Sequence, residues 1–120
     1  MNKPRQKQWQ VILQLTQDML ELAVPNESLG DLSVDAEFAK QPWQTITEIE
    51  TKRLELLNEF FSEDVSAEDA SEISDGIQQI QLIDNQLLEI GSAVQKDIGS
   101  AFSNYGKAHR AVAAYSNNAK

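Results

Sequence analysis

Cysteine is absent from the 120 residues, which excludes disulfides, thiolate nucleophiles and every cysteine-ligated metal site. Histidine occurs once, as His109 beside Arg110, where a solvated surface imidazole is the expectation. No Gly-rich phosphate loop, Gly-x-Ser-x-Gly elbow or His-Glu-x-x-His pair is present. The late glycines Gly76, Gly91, Gly99 and Gly106 are strung out rather than clustered into a cradle. Apolar runs fall far short of the roughly 20 residues a membrane-spanning helix needs. The polar start from Met1 to Gln10 does not look like a secretory leader. Proline stops early, at Pro4, Pro25 and Pro42, so nothing of that kind interrupts a helix in the last two thirds of the chain. Basic residues are scarce as well: 10 Lys plus Arg against 19 Asp plus Glu leave a formal net charge of −9. Such a surface disfavours sequence-independent contact with nucleic acid or anionic lipid.

What is present suits one acidic helical domain spanning 1–120, expected in the cytoplasm. Hydrophobic residues reach 41%, too many for a chain disordered throughout. Charge is segregated: Val11 to Ala39 and Leu54 to Gln95 carry no base, whereas Lys96, Lys107, Arg110 and Lys120 make the tail basic. Solvated helix faces account for that pattern, and a basic tail folding back on the acidic middle is the sharper alternative. Plentiful carboxylates at helical spacing read as wet faces, so no catalytic residue, cofactor or metal is expected, and no enzymatic activity.

Apolar spacing defines three helices. The first covers about 5–23, with Trp9, Ile12, Thr16, Met19 and Ala23 on one face and Pro25 ending it. Residues 24–41 read as a long connection with a short helical turn near Asp35 to Lys40, and Leu29, Leu32, Val34 and Phe38 suggest that it packs against something. The second helix covers about 43–62, Pro42 standing in its first turn. Its stripe is Ile46, Ile49, Arg53, Leu56 and Phe60, flanked by Leu57 and Phe61. Ser66 and Asp69 resemble a capping box that opens the third.

That third helix, about 67–115, carries the strongest pattern. Ala70, Ile73, Ile77, Ile80, Asp84, Leu87, Gly91, Val94, Ile98, Ala101, Tyr105, Ala108, Val112 and Tyr115 alternate by threes and fours without a slip. One straight helix of that span would reach about 75 Å at 1.5 Å per residue, and the first two, about 30 Å each, cannot cover it side by side. Two outcomes remain: the seam folds back at Gly99 or Gly106 as a fourth helix, or another chain covers it. The fold class is accordingly all-α, an antiparallel hairpin or bundle of three to four helices with a very long C-terminal helix.

Arg53 and Asp84 interrupt these stripes. In a tight hairpin turning near Asp64, Arg53 faces Ile77 and Asp84 faces Ile46, an offset of about 10 Å. A direct ion pair, or Asp84 accepting from Trp43 or Thr47, is therefore disfavoured against a role in fixing register or partner number. Ile46, Ile49, Leu56, Leu57, Phe60, Phe61, Ile80 and Leu87 form the candidate partner surface. As core they bury against the first helix; as a groove they receive an amphipathic helix.

Several stretches also resemble FliT-type flagellar export chaperones. The run Lys52-Arg53-Leu54-Glu55-Leu56-Leu57-Asn58-Glu59-Phe60-Phe61, preceded by Trp43 and Ile46, is similar to that family's second helix. Leu82-Ile83-Asp84 and the ending Gly106-Lys107-Ala108-His109-Arg110-Ala111-Val112-Ala113-Ala114-Tyr115 resemble its third, and Met19-Leu20-Glu21-Leu22-Ala23 its first. The connection 24–41 departs from the family by its length. The resemblance implies a cytoplasmic chaperone that holds the filament-cap protein, delivers it toward the export ATPase complex and in some bacteria restrains the flagellar master regulator. It further implies that a C-terminal cover, here Ala108, Val112 and Tyr115, closes the groove. A structural coiled-coil protein that forms a homodimer or higher oligomer, with no secreted client, is the competing expectation.

Overall fold

The computed structural model describes residues 2–24 and 36–119, and the side chains of these except 36–41, 96–97 and 115–119. The packing expected of Leu29, Leu32, Val34 and Phe38 lies outside the described side chains. Among the described residues four helices follow one another: α1 (Lys3–Ala23), α2 (Ala36–Phe60), α3 (Ala70–Ala93) and α4 (Gln95–Ala119).

α1 opens on Asn2, whose Oδ1 accepts the Arg5 amide at 3.0 Å, with proline in its first turn. Both devices spare amide groups that have no partner within the helix. Its end at Val24 is extended backbone, as a residue before proline prefers. α2 starts earlier than Trp43. Ala, Glu, Lys and Gln dominate the residues from Ala36 to Gln41 and favour helix, so Pro42 stands inside α2, where proline gives up one helical hydrogen bond and its ring crowds the preceding turn. Ser66 accepts the Asp69 amide at 3.3 Å and donates its hydroxyl to the Asp69 carboxylate at 2.9 Å. That closes a turn, and α3 begins just after it, at Ala70.

The very long C-terminal helix is not observed. The seam breaks at Val94, with φ −113° and ψ 14°, and again at Gly99, with φ 43° and ψ −114°. Gly99 adopts a backbone conformation that an L side chain strongly resists. Gly106 remains helical. The fold-back is the outcome realised, and the chain covers its own seam: Ile73, Ile77, Ile80, Asp84, Leu87, Ile98, Ala101, Tyr105 and Val112 are all buried.

α2 packs against α1 and α4, and α3 against the same two helices, which leaves α2 and α3 diagonally opposite. Two apolar clusters fill the interior. One joins Met19, Ala23, Trp43, Ile46, Ile83, Leu87, Ile98, Ala101 and Tyr105. The other joins Trp9, Ile12, Leu57, Phe60, Ile73, Ile77, Ile80 and Val112. Arg5 pins the second end of the bundle, its guanidinium 4.3 Å from the Phe60 ring centroid and 3.0 Å from the Glu63 carboxylate.

Close approach of α1 to α3 depends on Gly76. A methyl group there would meet the Trp9 indole at 2.5 to 2.8 Å. Trp9 has nowhere to retreat, because Phe60 and Phe61 stand against it at 5.0 and 6.2 Å between centroids. Gly76→Ala is therefore expected to cost about 1–3 kcal/mol, which lowers the melting temperature by about 4 °C or more. A circular-dichroism melt identical to that of the parent protein would contradict this packing.

Candidate functional site

The two apolar clusters are separated by a polar layer to which every helix contributes. Thr16 comes from α1, Glu50 and Arg53 from α2, Asp84 from α3 and His109 from α4. Thr16, Glu50, Arg53 and Asp84 are buried, with exposures of 1%, 0%, 0% and 3%. Arg53 organises them. Its Nη1 donates to Thr16 Oγ1 at 2.9 Å and Asp84 Oδ1 at 3.0 Å. Its Nη2 donates to Glu50 Oε1 at 2.6 Å and Asp84 Oδ2 at 3.0 Å. The fork geometry is the one a guanidinium offers a carboxylate. Thr16 passes its own hydroxyl hydrogen back to the Ile12 carbonyl at 3.0 Å.

The offset that separates Arg53 from Asp84 in a tight hairpin is absent here. Phe61 to Asp69 forms a nine-residue connection, long enough to slide α3 along α2, and the guanidinium spans the diagonal between them. The ion pair disfavoured by the spacing is thus made.

Electrostatics in the layer follow from burial. Desolvation pushes the Glu50 carboxyl above the ordinary carboxylate range, against the opposing pull of Arg53. Desolvation also works against the Arg53 charge, yet Asp84 and Glu50 together hold its pKa above the ordinary value. The Tyr105 phenol is raised by burial first and by the Asp84 and Glu50 charges second. Glu50 Oε2, Tyr105 Oη and Arg53 Nε are buried without a hydrogen-bond partner.

His109 is not the solvated imidazole anticipated. Its side chain is 15% exposed, its Nδ1 lies 3.4 Å from Asp84 Oδ2, and its ring stacks on Tyr105 at 5.8 Å. Glu50, Asp84 and His109 bring one ligand-type atom each to within 4.8 Å of one another. The space between the two carboxylates already holds a cation, however, since Arg53 reaches both of them. The donor set therefore suits a guanidinium and a proton better than a metal ion.

The candidate partner surface is divided between the clusters. Ile46 and Leu87 belong to one; Leu57, Phe60 and Ile80 to the other; Ile49, Leu56 and Phe61 are half-buried at the edges. Among the described residues α4 lies along α2 over this surface. Trp43 meets Tyr105 and Phe102 of α4 edge-on at 5.4 and 5.7 Å between centroids. Val112 is fully buried and Ala108 half-buried, while the Tyr115 side chain lies outside the described residues. Glu50 and His109 escaped the sequence reading. The observed stripe of α2 is Trp43, Ile46, Glu50, Arg53, Leu57 and Phe60; the expected Ile46, Ile49, Arg53, Leu56 and Phe60 share its 3-4-3-4 rhythm, and starting that rhythm from Trp43 is what places Glu50 on the inner face with Arg53.

A family model described as Flagellar protein FliT matches residues 6–117. The chain belongs to the FliT family. The match takes in most of all four helices, the polar layer and the Gly99 break. Membership in FliT carries the role of a flagellar export chaperone. No curated protein and no solved structure gives a match. No helix among the described residues is long and apolar enough to cross a membrane.

Proposed function

We propose that this FliT-family chain shields an apolar helical segment of the flagellar filament-cap protein in the place α4 occupies at rest. The observation that carries this reading is the join between α4 and the bundle. A glycine at φ 43° interrupts α4 near its start, and beyond it Ala101, Tyr105 and Val112 are buried on the other helices. A segment held that way can leave without unmaking α1, α2 and α3. Ile46, Ile49, Leu56, Leu57, Phe60, Phe61, Ile80 and Leu87 are the surface an incoming helix would reach, with Ala108, Val112 and Tyr115 as the cover. Arg53 and Asp84 hold register beneath it. Export-ATPase components and the master regulator are further partners of the same site, reached in the cytoplasm.

Binding is then an exchange. The client gains apolar burial at roughly 25 cal/mol per Å², and the gain is offset by what α4 gives up and by the ordering of the client. Ending the chain at Gly99 removes the competitor, and titration calorimetry with the C-terminal region of the cap protein should record tighter binding. A dissociation constant that is unchanged or weaker overturns the reading. The rival, a coiled-coil oligomer without a client, predicts instead a stable dimer or tetramer that light scattering across a dilution series finds unchanged by added client.

A further inference from the structure

Gly91 is a glycine that its backbone does not require. It lies in the last turn of α3, and the positive φ of this region belongs to Gly99. Space explains it instead. A methyl group at Gly91 would run into the Phe102 ring of α4 and stand 2.9 Å from Cη2 of Trp43 on α2. The missing side chain is thus a notch in α3 that one flat ring fills. Phe102 is half-buried there, edge-on to Trp43 at 5.7 Å and tilted against Tyr105 at 6.3 Å between centroids. The seat joins three helices. Phe102 follows the Gly99 break by three residues, so whatever carries α4 away takes the ring with it. Trp43, 3% exposed in the closed bundle, then loses the Phe102 and Tyr105 rings.

We propose that Gly91 is a specificity-determining position of the client surface: its notch holds Phe102 at rest and takes an aromatic side chain of the incoming helix once α4 has left. A helix that leaves the notch empty forfeits contacts on both sides of it, because the floor is α3 backbone and the wall is the Trp43 indole. A ring has the matching flat shape and restores the edge-to-face pairing with Trp43, which adds to what burial alone gives. A branched aliphatic chain covers the floor but offers Trp43 no such partner. One side chain in one close-fitting pocket is the arrangement that carries a large share of binding in helical recognition. The client segment is accordingly one that imitates α4 here, an amphipathic helix with phenylalanine, tyrosine or tryptophan on its apolar face. The inference rests on the reading of α4 as a cover that the client displaces, and it names the side chain that takes the vacated seat.

Two full-length variants that both lack the resting ring isolate the notch: Phe102→Ala, and Gly91→Ala combined with Phe102→Ala. Amide hydrogen exchange over Ala101 to Val112 should quicken in each, while Ile77 to Ile83 in α3 stays protected. In calorimetry the C-terminal region of the cap protein should bind Phe102→Ala more tightly than the parent protein, by up to about tenfold. The double variant, whose notch is closed, should bind about tenfold more weakly than Phe102→Ala. Removing the ring makes room for the added methyl group, and a circular-dichroism melt checks that the double variant folds. Leucine is then put in place of each aromatic residue of the cap region in turn. One of these changes should weaken binding to Phe102→Ala by the same factor and leave binding to the double variant almost unchanged, the coupling expected of groups in contact. Equal affinity for the two variants overturns the proposal and leaves α4 a cover. If no aromatic replacement weakens binding to Phe102→Ala, the proposal fails without any change at Gly91. Phe102→Ala binding no more tightly than the parent protein, despite faster exchange, overturns the cover reading and the proposal with it.

Discussion

Arg53→Met is expected to cost about 3–5 kcal/mol of folding stability at pH 7, a large share of the total for a domain of this size. Methionine fills most of the volume, so the loss is electrostatic. Arg53 is 0% exposed and is the donor to Glu50, Asp84 and Thr16 together. Without it two carboxylates stay buried with no cation between them, and desolvation already raises Glu50 while the guanidinium is in place. The sign of the pH dependence follows. A carboxyl whose folded pKa is raised contributes stability below its unfolded pKa and loses it as pH climbs through the folded value. The gap between variant and parent protein should therefore be widest near neutrality and narrow toward pH 4.5. Urea titrations at the two pH values measure it. A deficit under about 1 kcal/mol at pH 7, the scale of an exposed pair, would mean that the layer is hydrated and the pairing incidental. Replacing Arg53, Glu50 and Asp84 together by apolar residues of similar volume should recover most of the loss, as buried ion pairs elsewhere allow. What would then suffer is register: a uniform apolar core permits α3 to slide along α1 and α4 by a turn.

The helices were legible in the sequence because each buries one stripe, and a stripe at 3.6 residues per turn survives almost any arrangement of neighbours. The inner face of α1 agrees residue for residue, from Trp9 through Ala23. The arrangement was less legible. Tight-hairpin geometry presumes that consecutive helices are neighbours, whereas α2 and α3 are diagonal partners, and only a side chain as long as that of Arg53 crosses between them. Glu50 was hidden for a related reason: a carboxylate in an apolar stripe looks like an error of phase until the cation that justifies it is seen. The ambiguity in the final fifty residues was of another kind. A seam without a slip is equally compatible with one long helix and with two helices that share its phase, and the backbone torsions at Val94 and Gly99 decide between them.

Gly99→Ala puts the second of those breaks to the test and is expected to favour an exchanged dimer. An added Cβ at Gly99 meets nothing within 4 Å, so the obstacle is conformation, not space. At φ 43° and ψ −114° an alanine is strained by about 1–3 kcal/mol. Straightening that break relieves the strain and, once the milder break at Val94 follows, joins α3 to α4 with Val94, Ile98, Ala101, Tyr105, Ala108 and Val112 still in phase. The straightened helix carries α4 off its own bundle and uncovers Trp43, Ile46 and Leu87. A second copy offers the matching α4, and reciprocal exchange restores every buried contact under closed two-fold symmetry. Light scattering across a dilution series should find a dimer whose population grows with concentration. Small-angle scattering should find a particle longer than the 51 Å of the parent protein. A variant that stays monomeric at high concentration, with its radius of gyration still near 15.6 Å and only a lower melting temperature, would show that side-chain contacts hold the fold-back. Glycine would then merely ease a turn that packing on α2 enforces.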